Sequence, residues 1–202
     1  MSASASVKDW EGAAVPLASR CELGEDAKKL LREDLSSRRY VEVLADRKLF
    51  RDAVAFLSFA LPKREAVWWA CCCARVVAGP MLSGTQAGAV EAAEKWVVAP
   101  TEENRRATMP AAEAAKLATP SGCSAIAAFF SGGSLAPPDV KPVPPAGHLT
   151  AQMVIAAVSI AAVSAEPEKA PEKLRQFLTM GMEMAEGRNL WPGSIEASSP
   201  AR

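Results

Sequence analysis

The sequence predicts an all-α fold, either an irregular helical bundle or a degenerate helical-hairpin array, with about seven to nine helices. Apolar residues recur at three- and four-residue spacing along most of the chain, which is the period of one helix face. Hydrophobic residues make up 50% of the chain, and many of them are alanine, the strongest helix former. The third observation is the lack of alternating runs rich in Val, Ile and Thr, so no segment reads as a strand.

Three helices are predicted in the first third of the chain. A short helix occupies residues 25–32, with its acidic residues in the first turn, where the helix dipole favours negative charge. Ser36 and Ser37 provide a cap for the second helix. The segment from Leu49 to Leu61 has apolar residues at helical spacing, which indicates an amphipathic helix that faces a core.

The segment from Pro62 to Pro80 is predicted to be the central helix. Pro62 suits a first turn, because its missing N–H would have no partner there. Gly79 and Pro80 end the segment, since glycine tolerates a left-handed cap and proline cannot continue a helix. Between these limits the helix is apolar on nearly every face, including Trp69 and Cys73, so other helices should surround it.

Two predicted helices follow the central one. Ser83 and Gln86 have the spacing of a capping box at the start of a helix that ends at Pro100. Thr101 caps the next helix. An interior proline costs about 3 kcal/mol, so Pro110 predicts either a kink or two shorter helices.

The last third contains a proline-rich segment between helices. A helix that begins at Pro120 is stopped by a glycine pair, and residues 134–147 then contain five prolines. This composition predicts an extended, polyproline-like connector, which either bridges two subdomains or lies across the surface of one. Thr150 is predicted to cap a further helix, and Gly187 to end the last one. The core stripe predicted for that last helix consists of Leu174, Phe177, Leu178, Gly181, Met184 and Ala185.

The domain organisation follows from these segments. Residues 1–20 are rich in Ser and Ala and predict a flexible N-terminal arm, although Trp10 and Leu17 could pin it to the domain. Residues 21–192 are expected to form a single helical domain, with a potential sub-boundary in the connector 134–147. Residues 193–202 are expected to be a disordered tail.

Charge and length argue against two classes of partner. Lys and Arg total 23, and so do Asp and Glu, so the chain lacks the positive field that nucleic-acid binding needs. The most apolar segment, residues 151–165, is shorter than the about 20 residues that cross a bilayer. The N-terminus lacks the pattern of a secretory signal, so we expect a cytoplasmic protein in which the five cysteines are reduced thiols.

Three motifs that resemble functional sites have simpler structural explanations. Residues Cys71–Cys73 point about 100° apart on a helix and cannot converge on a metal, so we predict buried structural thiols. His148 has no nucleophile beside it in sequence, although a distant one could meet it in the fold. The Ser-Gly-Gly-Ser motif at residues 131–134 follows a helix and lacks the lysine of a phosphate-binding loop. We predict no metal and no cofactor.

Two groups of residues are predicted to bind a protein partner. Arg64 and Arg75 lie on nearly one face of the central helix with Trp68 between them, so a guanidinium is expected to stack on this indole. Glu65 would complete this charged cluster. The second group belongs to the exposed loop after residue 130, because such loops often dock partners. Its predicted contact residues are Ser131, Gly132, Gly133, Pro137 and Pro138.

Two blocks of the sequence resemble a known family. The first is Leu-Pro-Lys-Arg-Glu-Ala-Val-Trp-Trp-Ala-Cys at residues 61–71, and the second is Phe-Phe-Ser-Gly-Gly-Ser-Leu-Ala-Pro-Pro at residues 129–138. Together they resemble an uncharacterised family of small bacterial proteins, a domain of unknown function found in proteobacteria. Pro110 departs from the alanine-rich helix expected there. The resemblance implies a helper or adaptor role near type VI secretion genes, and it carries no catalytic residues.

The sequence leaves more than one function open. The first is a non-enzymatic cytoplasmic interaction module, an adaptor or accessory protein that binds a secreted cargo or a component of the secretion apparatus. The second is an enzyme or small-ligand binder with a pocket near Arg64, Glu65, Trp68 and Arg75, with His148 brought close by folding. A structural component that self-associates through an apolar patch is the third. A closed pocket with converging polar groups would favour the second, and a flat or grooved apolar surface the first.

Overall fold

Ten α-helices and two short 3₁₀ turns account for the regular structure of residues 10–191, the part of the chain that the computed structural model describes. This confirms the all-α prediction, because residues 10–191 contain no strand and only one isolated β-bridge, between Ala13 and Ser36. Two of the ten helices have only five and six residues. The helices are α1 (Ala14–Ala18), α2 (Glu25–Leu30), α3 (Ser37–Asp46), α4 (Phe50–Ala60), α5 (Lys63–Ala78), α6 (Gly84–Val98), α7 (Glu102–Ala114), α8 (Pro120–Phe129), α9 (Leu149–Val163) and α10 (Ala170–Ala185).

Helix α5 is the centre of the bundle, as predicted. It packs against α6, α8, α9 and α10. Trp69 and Cys73 are fully buried, and the indole N–H of Trp69 donates a 2.8 Å hydrogen bond to the backbone carbonyl of Phe177 on α10. The helix ends where predicted, at Gly79. Its φ of +51° is a backbone conformation that glycine adopts more readily than other residues.

Helix α10 approaches this tryptophan through a glycine. A Cβ added at Gly181 would lie 2.8 Å from Cε2 of Trp69 and 2.7 Å from Cδ2 of Leu57. These distances are shorter than a carbon–carbon contact allows, so only glycine lets α10 pack this closely. The predicted core stripe of α10 is confirmed, since all six of its residues are buried.

The predicted caps are correct at some helix starts and wrong at others. The hydroxyls of Ser36 and Thr101 each accept a 3.2 Å hydrogen bond from the backbone N–H three residues later. Ser83 makes no such bond, and Gln86 instead donates to the carbonyl of Ala115, so the capping box was wrong. Thr150 lies inside α9 and does not cap it, because α9 already begins at Leu149.

Pro110 does not divide its helix. Helix α7 runs unbroken from Glu102 to Ala114, so the prediction of two shorter helices was wrong. The helix packs against both α6 and α8, which also contact each other, and Ala112, Ala115 and Ala125 are fully buried there. We attribute its continuity to this packing, which holds α7 on both sides of the one backbone bond that proline removes.

Residues 10–20 pack against the bundle, which corrects the expectation of a flexible arm for this part. Trp10, Ala14 and Leu17 are buried in the main core. The backbone N–H of Ala14 donates to the carbonyl of Leu35 at 2.9 Å, which ties α1 to the start of α3. Trp10 and Leu17 are the two residues that the sequence named as able to pin the arm, whereas helix α1 was not predicted, because the Ser- and Ala-rich segment has no clear helical period. Residues 1–9 and 192–202, including the predicted tail, lie outside the described residues.

The proline-rich connector lies across the surface of one bundle. Helices α8 and α9, which flank it, pack directly on each other, and the main core contains residues from both. The loop also doubles back rather than staying extended: the N–H of Leu135 donates to the carbonyl of Val143, and the Ser134 hydroxyl accepts from the N–H of Val143 at 3.0 Å. None of the helices between residues 10 and 191 has both the length and the apolar character needed to cross a bilayer.

The glycine contact at α10 gives the first prediction. Gly181→Ala should lower the free energy of unfolding by about 1–3 kcal/mol, because the added methyl group overlaps Trp69 and Leu57. The matched control is Gly88→Ala, at an exposed position of α6 where an added Cβ meets nothing within 4 Å. That change should raise stability by about 0.5–1 kcal/mol. Urea unfolding followed by circular dichroism measures both, and equal effects would contradict the close approach.

Candidate functional site

The two arginines of the predicted cluster on α5 serve separate contacts. Arg75 pairs with both carboxylate oxygens of Glu94 on α6, each at 2.6 Å. Arg64, near the other end of α5, donates to the backbone carbonyls of Val97 and Val98, the latter at 2.9 Å. Both arginines therefore hold α6 against α5, and they form no shared pocket.

The expected stack on Trp68 is replaced by one on a distant tryptophan. The guanidinium of Arg64 lies 4.2 Å above the ring of Trp191, beyond the end of α10. Trp68 instead meets Trp191 edge to face at 6.5 Å and donates its indole N–H to the carbonyl of Asn189 at 2.9 Å. These contacts fasten the segment after α10 to the bundle, so Arg64 and Trp68 already have intramolecular partners.

Glu65 stands apart from both arginine contacts. One of its carboxylate oxygens is buried and has no hydrogen-bond partner. Burial raises the pKa of this carboxyl above its ordinary value, while a backbone hydrogen bond and the charge of Arg64 act in the opposite direction. The ionised carboxyl group therefore lowers the stability of the fold, and no local sequence pattern indicated this.

A buried arginine holds the base of the loop that follows α8. The side chain of Arg105 is only 4% exposed, and it pairs with both oxygens of Glu102 at 2.7 Å. Its guanidinium also lies 4.8 Å from the centre of the Phe129 ring and donates to the carbonyls of Phe129 and Ser134. One side chain thus joins α7, the end of α8 and the start of the loop.

A second arginine extends this contact along the loop. Arg106 pairs with Glu102 at 2.7 Å and donates to the carbonyl of Ala136 at 3.1 Å. The two guanidinium groups lower the pKa of the Glu102 carboxyl, chiefly through the hydrogen bonds from Arg105. The carboxylate is therefore held in its charged form, and it fixes both arginines toward the loop.

The glycine motif fits against this cluster of three charged side chains. Gly133 has a φ of +62°, and a Cβ there would lie 2.6 Å from an oxygen of Glu102 and 2.7 Å from Nε of Arg105. Lys63 donates to the carbonyl of Ser131 at 2.9 Å. Ser131 and Gly132 are half-buried, so the motif serves mainly to seat the loop.

The outer part of the same loop is exposed and largely apolar, with one residue of each charge, Asp139 and Lys141. Pro137 and Pro138 are exposed, as expected for partner contacts, and Val140 and Val143 are 53% and 52% exposed. Sequence reasoning missed both valines and the residues that fix the loop, Glu102, Arg105 and Arg106. Their helical spacing of three and four residues was a visible signal for ion pairing, but it could not show that the arginines reach a loop about 30 residues away.

His148 lies elsewhere, in an open cleft of about 710 Å³. Arg20, Glu22, Phe59 and Gln152 also line this cleft, and none of the four predicted residues on α5 does. The expectation that folding brings His148 into a pocket with Arg64 and Arg75 is therefore not met by these lining residues.

The cysteine triplet divides between core and partial exposure. Cys71 and Cys73 are fully buried, whereas Cys72 is half-buried. Burial raises the pKa of the Cys72 thiol to about 12, so it is not a thiolate at neutral pH. Within the described part of the chain, no three His, Cys, Asp or Glu side chains come close enough together to hold a metal ion.

An apolar groove of about 330 Å³ lies on another face. It is formed by the start of α4 and by the facing ends of α9 and α10, with Phe50, Val163 and Leu174 among its walls. Lys48 and Asp52 also line it, so it carries both signs of charge.

Comparison with known proteins gives one match. The model of a family of unknown function (DUF6931) matches residues 40–185, which include α4 to α10 and the whole loop 134–147. Neither curated proteins nor solved structures give a significant match. The match agrees with the resemblance to an uncharacterised domain, and it brings no activity and no site residues with it.

The arginine contacts predict unequal effects for two neighbouring substitutions. Arg105→Gln should lower the free energy of unfolding by about 2–4 kcal/mol, because it leaves buried carbonyl groups without donors. Arg106→Gln is the matched control, and its more exposed side chain should contribute about 1 kcal/mol or less. Urea unfolding measures both. A loss for Arg106→Gln as large as that for Arg105→Gln would contradict the assigned roles.

Replacing Glu65 is predicted to raise the stability of the protein, by an amount that depends on pH. The unfolded chain ionises this group near its ordinary pKa of 4.5, whereas the folded protein does so at higher pH. The folded protein therefore loses stability as pH rises from 4.5 through the raised pKa of Glu65 in the folded state. Below pH 4.5 this group causes no loss of stability. Glu65→Gln should raise the unfolding free energy at pH 7 by about 0.5–1 kcal/mol, with the gain vanishing near pH 4.

The control is Glu103→Gln, an exposed acid in the first turn of α7. Glu65 and Glu103 both lie in the first turn of a helix, so both changes remove a favourable interaction with a helix dipole, but only Glu65→Gln also removes a buried, unpartnered carboxylate oxygen. Glu103→Gln should therefore lower stability at pH 7 by about 0.3–1 kcal/mol. Chemical unfolding at the two pH values measures each variant, and a loss of stability for Glu65→Gln at pH 7 would contradict the analysis.

Proposed function

The chain belongs to the DUF6931 family, and we propose that it is a non-enzymatic protein-interaction module whose contact surface is the loop of residues 134–147. The single observation that carries the proposal is the way this loop is built. The buried side chain of Arg105, paired with Glu102, fixes its base, while Pro137, Pro138, Val140 and Val143 are exposed on its outer side. Such an arrangement stabilises a surface without using that surface in the fold.

Fixing the loop in advance favours binding. Association costs free energy whenever loops and side chains become ordered on contact. Arg105 and Arg106 hold the carbonyls of Ser134 and Ala136, and the backbone of Leu135 pairs with that of Val143. Much of this ordering cost is therefore met during folding, so contacts made by Pro137, Pro138 and Val140 count more fully toward affinity.

The composition of the loop indicates what kind of surface would bind it. Residues 141–145 read Lys-Pro-Val-Pro-Pro, and residues 141–146 form no helix or strand. Proline at positions 142 and 145 gives the spacing of segments that dock in aromatic-lined grooves, with a positive charge at Lys141 beside them. We therefore propose a partner protein that has such a groove with acidic groups at its rim.

The cellular role that fits best is that of an adaptor. The resemblance of residues 61–71 and 129–138 to a bacterial family near type VI secretion genes supports a secreted cargo or a component of that apparatus as the partner. The alternative of a catalytic pocket on α5 has little support, because Arg64, Trp68 and Arg75 are engaged with Val98, Asn189 and Glu94.

The test uses the full chain with a photocrosslinking residue in place of Val140. The expected result is a specific crosslink to one protein, which a synthetic peptide of residues 134–147 competes away. Pro142→Ala with Pro145→Ala should reduce the crosslink about tenfold or more, since the aromatic groove loses its ligand.

The matched control replaces two exposed prolines elsewhere, Pro167→Ala with Pro171→Ala, and should leave the crosslink unchanged. Circular dichroism verifies that all variants remain helical. A crosslink that persists in the Pro142/Pro145 variant, or that joins two copies of this chain, would overturn the proposal.

A further inference from the structure

The apolar groove at the start of α4 continues into a second hollow. The groove has a volume of about 330 Å³, and Leu49, Phe50, Val163 and Leu174 are among its lining residues. The hollow, of about 340 Å³, is lined by Leu30 and again by Leu49, so the two spaces adjoin. An apolar cavity of about 150 Å³ holds a benzene ring, so the groove alone has room for about two large apolar side chains.

The apolar walls of the groove are only partly covered by the fold. Val163, the last residue of α9, is 52% exposed, and Leu49 and Phe50 are half-buried. Ala162 and Leu174 lie deeper and are buried. An apolar side chain that enters such a concave surface displaces water from both partners, which is the main source of affinity at sites of this kind.

Three positive side chains border these spaces without a counter-ion. Lys48 and Arg51 line the groove, Arg47 lines the hollow, and all three residues are exposed. None of the three forms an ion pair with a carboxylate of the described residues. Lys29 also lines the hollow, but it is already paired with Asp26 at 2.9 Å. The rim therefore carries positive charge that a partner can pair with.

Asp52 is the one carboxylate among the described residues that line the groove, and it is engaged elsewhere. Its Oδ1 accepts a 2.7 Å hydrogen bond from the backbone N–H of Gly24, which immediately precedes α2. The start of a helix is where its dipole favours a negative charge. Asp52 is thus fixed by the fold and forms no ion pair with Lys48 or Arg51, so the groove and the hollow together have an excess of positive charge.

The architecture indicates the form in which a peptide segment binds. Proteins capture apolar segments either by adding a strand to the edge of a sheet or by receiving the apolar face of a helix in a groove. Residues 10–191 contain no strand that could be extended. The groove, which is bordered by helices, suits the second mode.

We propose that the groove and the hollow bind an acidic amphipathic helix of a partner protein. Its apolar residues, spaced three and four apart, fill the groove against Phe50 and Val163, and its carboxylates pair with Lys48 and Arg51. The apolar contact supplies affinity, and the charge selects the partner. The site goes beyond the interaction function of the outer loop, because no residue of the segment 134–147 lines either space.

Selection of displayed peptides on the immobilised full chain tests the proposal. The library consists of random peptides of about 15 residues, long enough for about four helical turns. The enriched peptides should have apolar residues at helical spacing and more Asp and Glu than Lys and Arg. A synthetic copy, titrated by fluorescence anisotropy, should bind with a Kd of about 10 μM or tighter. Failure to enrich any peptide, or enrichment of peptides without the acidic excess, overturns the proposal.

Two exposed valines provide a matched pair for the apolar wall. Val163 ends α9 and Val98 ends α6, and their exposed fractions are 52% and 53%. Val163→Gln should weaken binding of the selected peptide about tenfold, because it places a polar group against the apolar face of the helix. Val98→Gln, which lies outside the groove, should leave the affinity unchanged. Equal affinities of the two variants would show that the peptide does not occupy the groove.

Two lysines in the same backbone conformation provide the matched pair for the charge. Lys48 follows the end of α3 with a φ of +59°, and Lys116 follows the end of α7 with a φ of +67°. Glycine adopts this conformation more readily, so Lys48→Gly and Lys116→Gly should each unfold at the temperature of the parent or higher. Only Lys48→Gly should weaken peptide binding, by about threefold. Unchanged affinity in Lys48→Gly would overturn the acidic partner.

The outer-loop variant separates this proposal from the interaction function. Pro142→Ala with Pro145→Ala should leave the affinity for the selected peptide unchanged, since neither proline lines the groove. A fall in affinity in that variant would place the peptide on the loop and overturn the assignment to the groove. Loss of the outer-loop crosslink has no bearing on peptide binding, so the two proposals fail independently.

Discussion

The fold depends on the close packing of α10 against Trp69 of α5. The indole is fully buried, and its N–H is satisfied by the carbonyl of Phe177. Gly181 removes the side chain that would otherwise keep α10 away. The bundle is stabilised both by the apolar surface of this large ring that is removed from water and by the hydrogen bond of its one polar group. Trp68 and Arg64, also on α5, contact the segment after α10, so the packing between α5 and the end of the chain continues to the surface.

The loop after α8 uses a second kind of anchor, which is electrostatic. A guanidinium as buried as that of Arg105 is costly unless all of its donors find acceptors. Glu102, Phe129 and Ser134 supply those acceptors from two helices and the loop itself. The outcome is a loop whose shape follows from the bundle. Because its base is satisfied internally, its outer prolines and valines remain available to a partner.

The sequence by itself determined most of the helices, because the apolar period of a helix and caps such as Ser36 and Thr101 act over a few neighbouring positions. It located α5, its burial and its end at Gly79, and it identified the core stripe of α10. Tertiary structure decided what local signals cannot encode. Packing against α6 and α8 kept α7 intact through Pro110, and contacts with the bundle ordered residues 10–20. Two arginine contacts depend on tertiary structure in the same way. Arg64 stacks on Trp191 rather than on Trp68, and Arg105 donates to the carbonyls of Phe129 and Ser134, which are 24 and 29 residues away in sequence.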